Sequence, residues 1–177
     1  MRLEVVHSEK VYEGRAFGVR RDEVRLATGR VAHIDIIEHV PSVTLIPVDA
    51  QGQVWFVRQY RHPTGETLLE LPAGTLSSEE DPEACARREC REEIGMAPGR
   101  LTLLGSCYLA PGYSTEYMYF YLAEDLVPSP LSPDEDEVLK VERLTVARAY
   151  EMAAGGALRD AKSIVGLHLA SLLLQPG

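Results

Sequence analysis

The sequence predicts an α/β (α+β) chain: an α/β/α sandwich with a mixed sheet, preceded by a small N-terminal antiparallel β unit. Three observations carry this expectation. Short strand-like runs separated by Gly- and Pro-containing turns fill residues 1–71 and 101–144, one helical stretch sits between them, and two more helices close the chain. At 177 residues the chain can bury a proper core and is near the usual size of one main domain.

Residues 1–40 make the N-terminal β unit. Segments 3–7, 15–26 (interrupted near Gly18) and 30–39 are strand-like, with Ala27-Thr28-Gly29 as a turn between the last two. Residues 41–177 make the main domain. There, 42–48 and 53–60 flank Asp49-Ala50-Gln51-Gly52, which reads as a hairpin. A short strand at 68–71 follows. Asp81 before Pro82 is an N-cap with proline at the first helical position, and Gly95 is the C′ stop. The central helix therefore spans 82–94, with Ala84, Ala86, Cys90 and Ile94 as its apolar positions. Strands at 101–109 and 115–123 flank a Pro111-Gly112 turn. A proline- and acid-rich loop at 128–137 leads to a strand at 138–144. Helices at 145–153 and 161–174 are separated by Gly155-Gly156.

Composition narrows the function. A net charge of −9 and a pI near 5.1 argue against a nucleic-acid backbone as partner. A small anion can still bind where metal ions reverse the local field. Three cysteines is an odd count with no CxxC spacing. Cys85 and Cys90, five apart on one helix, are expected on different faces as free thiols in a reducing, cytoplasmic compartment. No segment approaches 18 apolar residues, and the first ten have no apolar core, so no membrane association is expected. The five histidines are scattered without metal-ligand spacing, and none is assigned to catalysis.

The most informative stretch is 74–96, GTLSSEEDPEACARRECREEIGM. Glu89, Glu92 and Glu93 stand at i, i+3 and i+4, so a helix projects all three from one face. Like charges at this spacing repel by roughly a few tenths of a kcal/mol per exposed pair. A cation is expected among them, and a hard divalent ion such as Mg²⁺ suits carboxylate oxygens. Taken alone, such a run is more simply a solvated helix face. Gly74, after Leu71-Pro72-Ala73, is expected at a tight turn that needs unusual φ/ψ and a close backbone approach to a ligand. Arg88 is placed to reach a carboxylate, Glu80 or Glu92.

The spacing is Gly74, five residues, Glu80, seven residues, then Arg88-Glu89-Cys90-Arg91-Glu92-Glu93-Ile94-Gly95-Met96. This resembles the signature of the Nudix hydrolases with every charged and glycine position filled. Cys90 stands where a bulky aliphatic residue is usual. The resemblance implies the Nudix α/β/α sandwich and Mg²⁺-dependent hydrolysis of a nucleoside diphosphate derivative, with Mn²⁺ as a substitute ion. It assigns metal binding to Glu89 and Glu93, with Glu92 and the Ala73 carbonyl as further ligands. Glu93, Glu92 and Arg88 then form the catalytic set within this box.

Outside the box, Ala110-Pro111-Gly112-Tyr113-Ser114-Thr115-Glu116 resembles the S-P-G-x-[ST]-x-E segment of the ADP-ribose pyrophosphatase branch, with Ala110 for serine. Gly112 and Glu116 are its substrate-binding positions here, although an isolated Pro-Gly is ordinarily a plain turn. Val57-Arg58-Gln59-Tyr60-Arg61 resembles the branch's Q-x-R, which gives Arg61 a contact with the diphosphate. Arg58 shares that role or is a surface charge. Asp134-Glu135-Asp136-Glu137 resembles the branch's acidic loop, with Glu137, or else Glu135, orienting or deprotonating the attacking water. In this branch the N-terminal unit exchanges across a homodimer and contributes nucleobase contacts. That assigns base stacking to Phe17 and a polar contact to Asp35, which follows Ile34 where the branch has arginine. The implied reaction is ADP-ribose to AMP and ribose 5-phosphate. The alternatives are a nucleotide sugar of the GDP-mannose type, another dinucleotide, or a non-catalytic nucleotide sensor.

Overall fold

The structure, a computed structural model, describes residues 3–132 and 139–174. It separates into two units, Met1–Pro41 with Cys107–Tyr117, and Ser42–Ser106 with Met118–Gly177. In the first unit, β1 (Glu4–Glu13), β2 (Gly18–Arg25) and β3 (Val31–Glu38) form an antiparallel sheet in that order. The turn at Ala27-Thr28-Gly29 forms as expected. Gly29 takes φ +81°, and its N–H donates to the Leu26 carbonyl at 2.9 Å. β1 is longer than the sequence suggested, because two register shifts let the polar run to Glu13 keep pairing with β2. Segment 107–117 joins this unit by main-chain bonds. The Ile37 N–H donates to Tyr113, and the Thr115 N–H donates to Ile37.

The second unit contains β4 (Ser42–Pro47), β5 (Gln53–Arg61), β6 (Glu66–Glu70), β7 (Ala73–Thr75) and α1 (Pro82–Glu93). It continues through β8 (Met96–Tyr108) and β9 (Tyr117–Pro128), of which Cys107, Tyr108 and Tyr117 belong to the first unit, then β10 (Lys140–Thr145), α2 (Val146–Ala154) and α3 (Ala161–Ala170). One sheet has the order β7-β4-β9-β8 and is mixed, since β4 runs antiparallel to β7 and parallel to β9. The other, β10-β5-β6, is antiparallel. Every residue of β4 is buried. Val43 and Leu45 pack in a cluster with Cys85, Ala86, Cys90 and Ile94 of the α1 segment. Ile46 faces α3, where a Cβ on Gly166 would lie 3.4 Å from its side chain. Helix, sheet and helix are thus layered about β4, as expected.

Three expectations are corrected. Asp49-Ala50-Gln51-Gly52 is a turn, but β4 and β5 meet only at the Val48–Val54 bridge and then enter different sheets. Both edges of β4 are already taken by β7 and β9, so β5 has no edge to pair with. Of the expected apolar positions of α1, Ala84 is exposed, while Cys85 is buried along with Ala86, Glu89, Cys90 and Glu93. Cys85 and Cys90 therefore share one core rather than separate faces. Both thiols are free, and burial first, then the charges of Glu89 and Glu93 respectively, push each up to about 12. Finally, α3 ends at Ala170 instead of continuing to 174. Among the described residues, no helix is long and apolar enough to cross a membrane.

Candidate active site

Local sequence holds α1 in place before its functional side chains act. The Asp81 carboxylate accepts from the N–H groups of Glu83 and Ala84 at 3.1 Å each, Pro82 starts the helix, and Gly95 turns away from it at φ +71°. Arg88 then gathers the acidic groups. Its Nε and Nη2 donate to the two oxygens of Glu80 at 2.9 Å, and Nη1 donates to Glu89 at 2.6 Å and to Glu92 at 2.7 Å. Nη2 also reaches the Thr75 carbonyl at 3.1 Å. The sequence left Glu80 and Glu92 as alternatives for this arginine; one guanidinium takes both, and Glu89 too. These bonds, led by that to Glu80, raise the Arg88 pKa.

The same contacts hold the Glu80 carboxyl far below its usual range, at about 2 rather than 4.5, chiefly through the Arg88 hydrogen bonds. A depressed folded-state pKa means stability that is complete above about pH 4.5 and is lost as the pH falls toward about 2. In urea denaturation, the stability difference between wild type and Glu80→Gln is expected to shrink across that window. A constant difference from pH 6 to pH 2.5 would show that Glu80 carries no such linkage.

Glu89 and Glu93 are buried, with 8% and 6% of their surface exposed. Glu93 Oε2 accepts the Ala73 N–H at 3.0 Å, which ties the helix to β7. Gly74 meets Glu89: a Cβ there would lie 1.9 Å from the carboxyl carbon and 2.0 and 2.3 Å from its oxygens. The glycine has no positive φ, so close approach alone, not an unusual backbone angle, excludes a side chain. Among the described residues, no group of three or more His, Cys, Asp or Glu is set to hold a metal as it stands, and Arg88 holds Glu80, Glu89 and Glu92. The donor chemistry suits a hard divalent ion all the same. Buried carboxylate oxygens share one helix face, opposite a strand whose glycine leaves them room.

Arg61, at the end of β5, donates through Nε and Nη2 to the two oxygens of Glu70, at 2.8 and 2.7 Å. Burial would raise the Glu70 carboxyl, but Arg61 and Lys162 outweigh it and hold it below its ordinary value. The Arg61 pKa rises in turn, first through Glu70, with the charges of Glu93 and Asp160 acting on it as well. Arg58 is engaged elsewhere, bidentate to Glu142 of β10 at 2.5 and 3.2 Å.

Gly112, Glu116, Phe17 and Asp35 fall in the first unit. Gly112 is exposed in its turn, and the Glu116 N–H donates to Ser114 Oγ at 3.1 Å. Phe17 is exposed, with its ring 5.9 Å from that of Tyr12. Asp35 accepts from Arg21, directly opposite on β2, at 2.8 Å, and this bond lowers its pKa. Glu137 and Glu135 lie outside the described residues. Sequence reasoning passed over Glu70, Lys162, Asp160 and Ser163. The available signal was an acid within Leu68-Leu69-Glu70-Leu71 and a lysine within a largely apolar helical segment.

A mixed sheet between helices, with a glutamate helix stapled to a glycine strand, defines a Nudix-type domain. The family model described as NUDIX domain matches residues 38–165, and the chain belongs to that family. It is 30% identical over 169 residues to the ADP-ribose pyrophosphatase of Bacillus subtilis (strain 168), covering 94% of this chain and 91% of that protein. It is 36% identical over 135 residues to the GDP-mannose pyrophosphatase of Yersinia pestis (strain Pestoides F), covering 71% and 68%. In fold it matches a solved structure titled "Crystal structure of ADP compounds hydrolase". The TM-score is 0.88 at 24% identity, over 98% of this chain and 95% of that one.

Proposed function

We propose that this chain hydrolyses ADP-ribose to AMP and ribose 5-phosphate. The observation that carries the hydrolytic part of the reading is the carboxylate helix, gathered by Arg88 and set against Gly74. The chain is a Nudix pyrophosphohydrolase, a class that works with a divalent metal ion. The ADP-ribose assignment is supported by similarity to an ADP-ribose pyrophosphatase along 94% of this chain, against 71% for the GDP-mannose enzyme. The shorter but higher-identity match favours a nucleotide sugar of the GDP-mannose type as the second reading.

The residue roles follow from the chemistry each group can offer. Glu89 and Glu93, with Glu92 and the Ala73 carbonyl, would hold Mg²⁺, or Mn²⁺ in its place. The bound ion supplies a more acidic water and neutralises phosphate charge. Arg88 orients the carboxylates. Arg61, with Nε and Nη2 engaged by Glu70, offers Nη1 to the diphosphate. Arg58, three residues away on β5 and so on its opposite face, braces β10 through Glu142 as a surface charge. Glu137, or else Glu135, serves the attacking water. Gly112, Glu116, Phe17 and Asp35 belong to substrate recognition by the first unit. The exposed apolar residues of β1, among them Val5, Val11 and Tyr12, suit a homodimer. The setting is cytoplasmic, with neither nucleic acid nor membrane as partner.

The test is product analysis with Mg²⁺ on ADP-ribose, GDP-mannose, NADH, FAD and diadenosine polyphosphates. ADP-ribose is expected to show the highest kcat/KM, by about tenfold or more, as a site built around one substrate's polar groups would give. Preference for GDP-mannose would move the assignment to the second reading. Nucleotide binding without turnover of any would make the chain a sensor.

A further inference from the structure

We propose that the first turn of α3, through Lys162 and Ser163, is a positioning element for the reaction, setting Arg61 and the 71–73 backbone against Glu93. This rests on the hydrolase reading above.

Glu70 lies between two cations with 1% of its surface exposed. Arg61 grips both oxygens, and Lys162 Nζ donates to Oε2. Lys162 also donates to Asp160 Oδ2 at 3.0 Å. Asp160 caps α3 by accepting the Ser163 N–H at 3.1 Å and the Ser163 hydroxyl. Ser163 Oγ in turn accepts the Leu71 N–H at 2.7 Å. One helical turn thus holds residue 70 by its side chain and residue 71 by its main chain. Two residues further on, the Ala73 N–H donates to Glu93. The fit is tight, since a Cβ on Gly166, one turn along, would lie 2.9 Å from Leu71 Cδ1.

Stability is a weak reason to bury such a cluster. Well-packed apolar residues of similar volume serve as well or better, because desolvating charges costs about as much as their attraction returns. The exposures indicate another reason. The Glu70, Lys162 and Asp160 side chains are 2%, 11% and 15% exposed, whereas that of Arg61 is 41% exposed. Buried Glu70 and Lys162, with half-buried Asp160 behind them, therefore anchor one guanidinium whose other edge meets solvent. A flexible arginine becomes a fixed donor, and the ordering that engaging a substrate phosphate requires is already in place before binding.

The experiment is a double-mutant cycle on full-length protein with the best substrate of the wild type. Lys162→Met is expected to lower kcat/KM about 10–100-fold, mainly through KM, because it loosens a binding group and leaves the carboxylates alone. Lys162→Arg should return to within about threefold of wild type. In an Arg61→Ala background, Lys162→Met should cost less than about threefold more, since the coupled group is already gone. Ser163→Ala, the second variant should Lys162→Met not fold, is expected to lower kcat about tenfold with KM unchanged, by loosening the 71–73 backbone. A change under twofold in both variants, or equal factors for Lys162→Met in both backgrounds, overturns the proposal. Calorimetry with ADP and Mg²⁺ separates this from failure of the hydrolase reading. If no substrate turns over, Lys162→Met must still weaken ADP about tenfold with Arg61 present and not without it. Unchanged ADP affinity, or no ADP binding by the wild type, overturns the positioning role.

Discussion

Glu93→Gln is expected to lose about a thousandfold or more in kcat while folding as the wild type does. The two halves of this result have separate causes. Glutamine keeps an oxygen that can accept the Ala73 N–H, so the bond between α1 and β7 survives. The neutral amide cannot offer the charge that a divalent ion needs, and the residue sits in a site with 6% exposure where water cannot substitute for it. Steady-state kinetics across a Mg²⁺ titration, with thermal unfolding alongside, checks both halves. A melting temperature within about 5 °C of wild type is expected for a substitution that keeps its buried hydrogen bond. Activity within tenfold of wild type would remove Glu93 from the proposed metal set.

Gly74→Ala is expected to separate activity from stability in the opposite structural direction, by adding one carbon. The new Cβ would stand 1.9–2.3 Å from the Glu89 carboxylate, far inside contact distance. The atoms it displaces are the far end of a flexible side chain, so the carboxylate can swing aside while strand and helix stay in place. That motion also breaks the 2.6 Å bond from Arg88 Nη1. We expect a loss of about 10²–10³-fold in kcat/KM, the usual consequence of an ångström-scale misplacement, with a melting temperature lowered by only a few degrees. Full activity in this variant would show that Glu89 does not need its observed position.

The site was legible where chemistry dictates spacing along one element. Arg88, Glu89, Glu92 and Glu93 lie on a single helix, so their side-chain geometry can be read from residue numbers, and the cap at Asp81 and stop at Gly95 bound that helix. Legibility failed where a partner comes from far along the chain. Lys162 and Glu70 are 92 positions apart, and nothing local in either segment announces the other. The turn at 49–52 has ordinary hairpin chemistry, including an Asp49 carboxylate that accepts from Gln51 and Gln53. Its two strands still part, because β9 takes one edge of β4 in parallel from residues 118–123. The helix pattern misplaced the apolar stripe by one position at Ala84 and Cys85, since buried Glu89 and Glu93 occupy places that an apolar template assigns elsewhere. Substrate identity is least legible of all. The box specifies the bond that is cut, and the groups that read the rest of the molecule are spread over other segments.

The paired thiols of α1 have a practical corollary. Cys85 and Cys90 are fully buried in the cluster that seats this helix, and both are held in the unreactive neutral form. Alkylating or disulfide reagents act on a thiolate they can touch, so these sulfurs are silent while the helix is seated and exposed to attack once it lifts away. The helix that bears the carboxylates thereby carries its own clock for how often that layer opens.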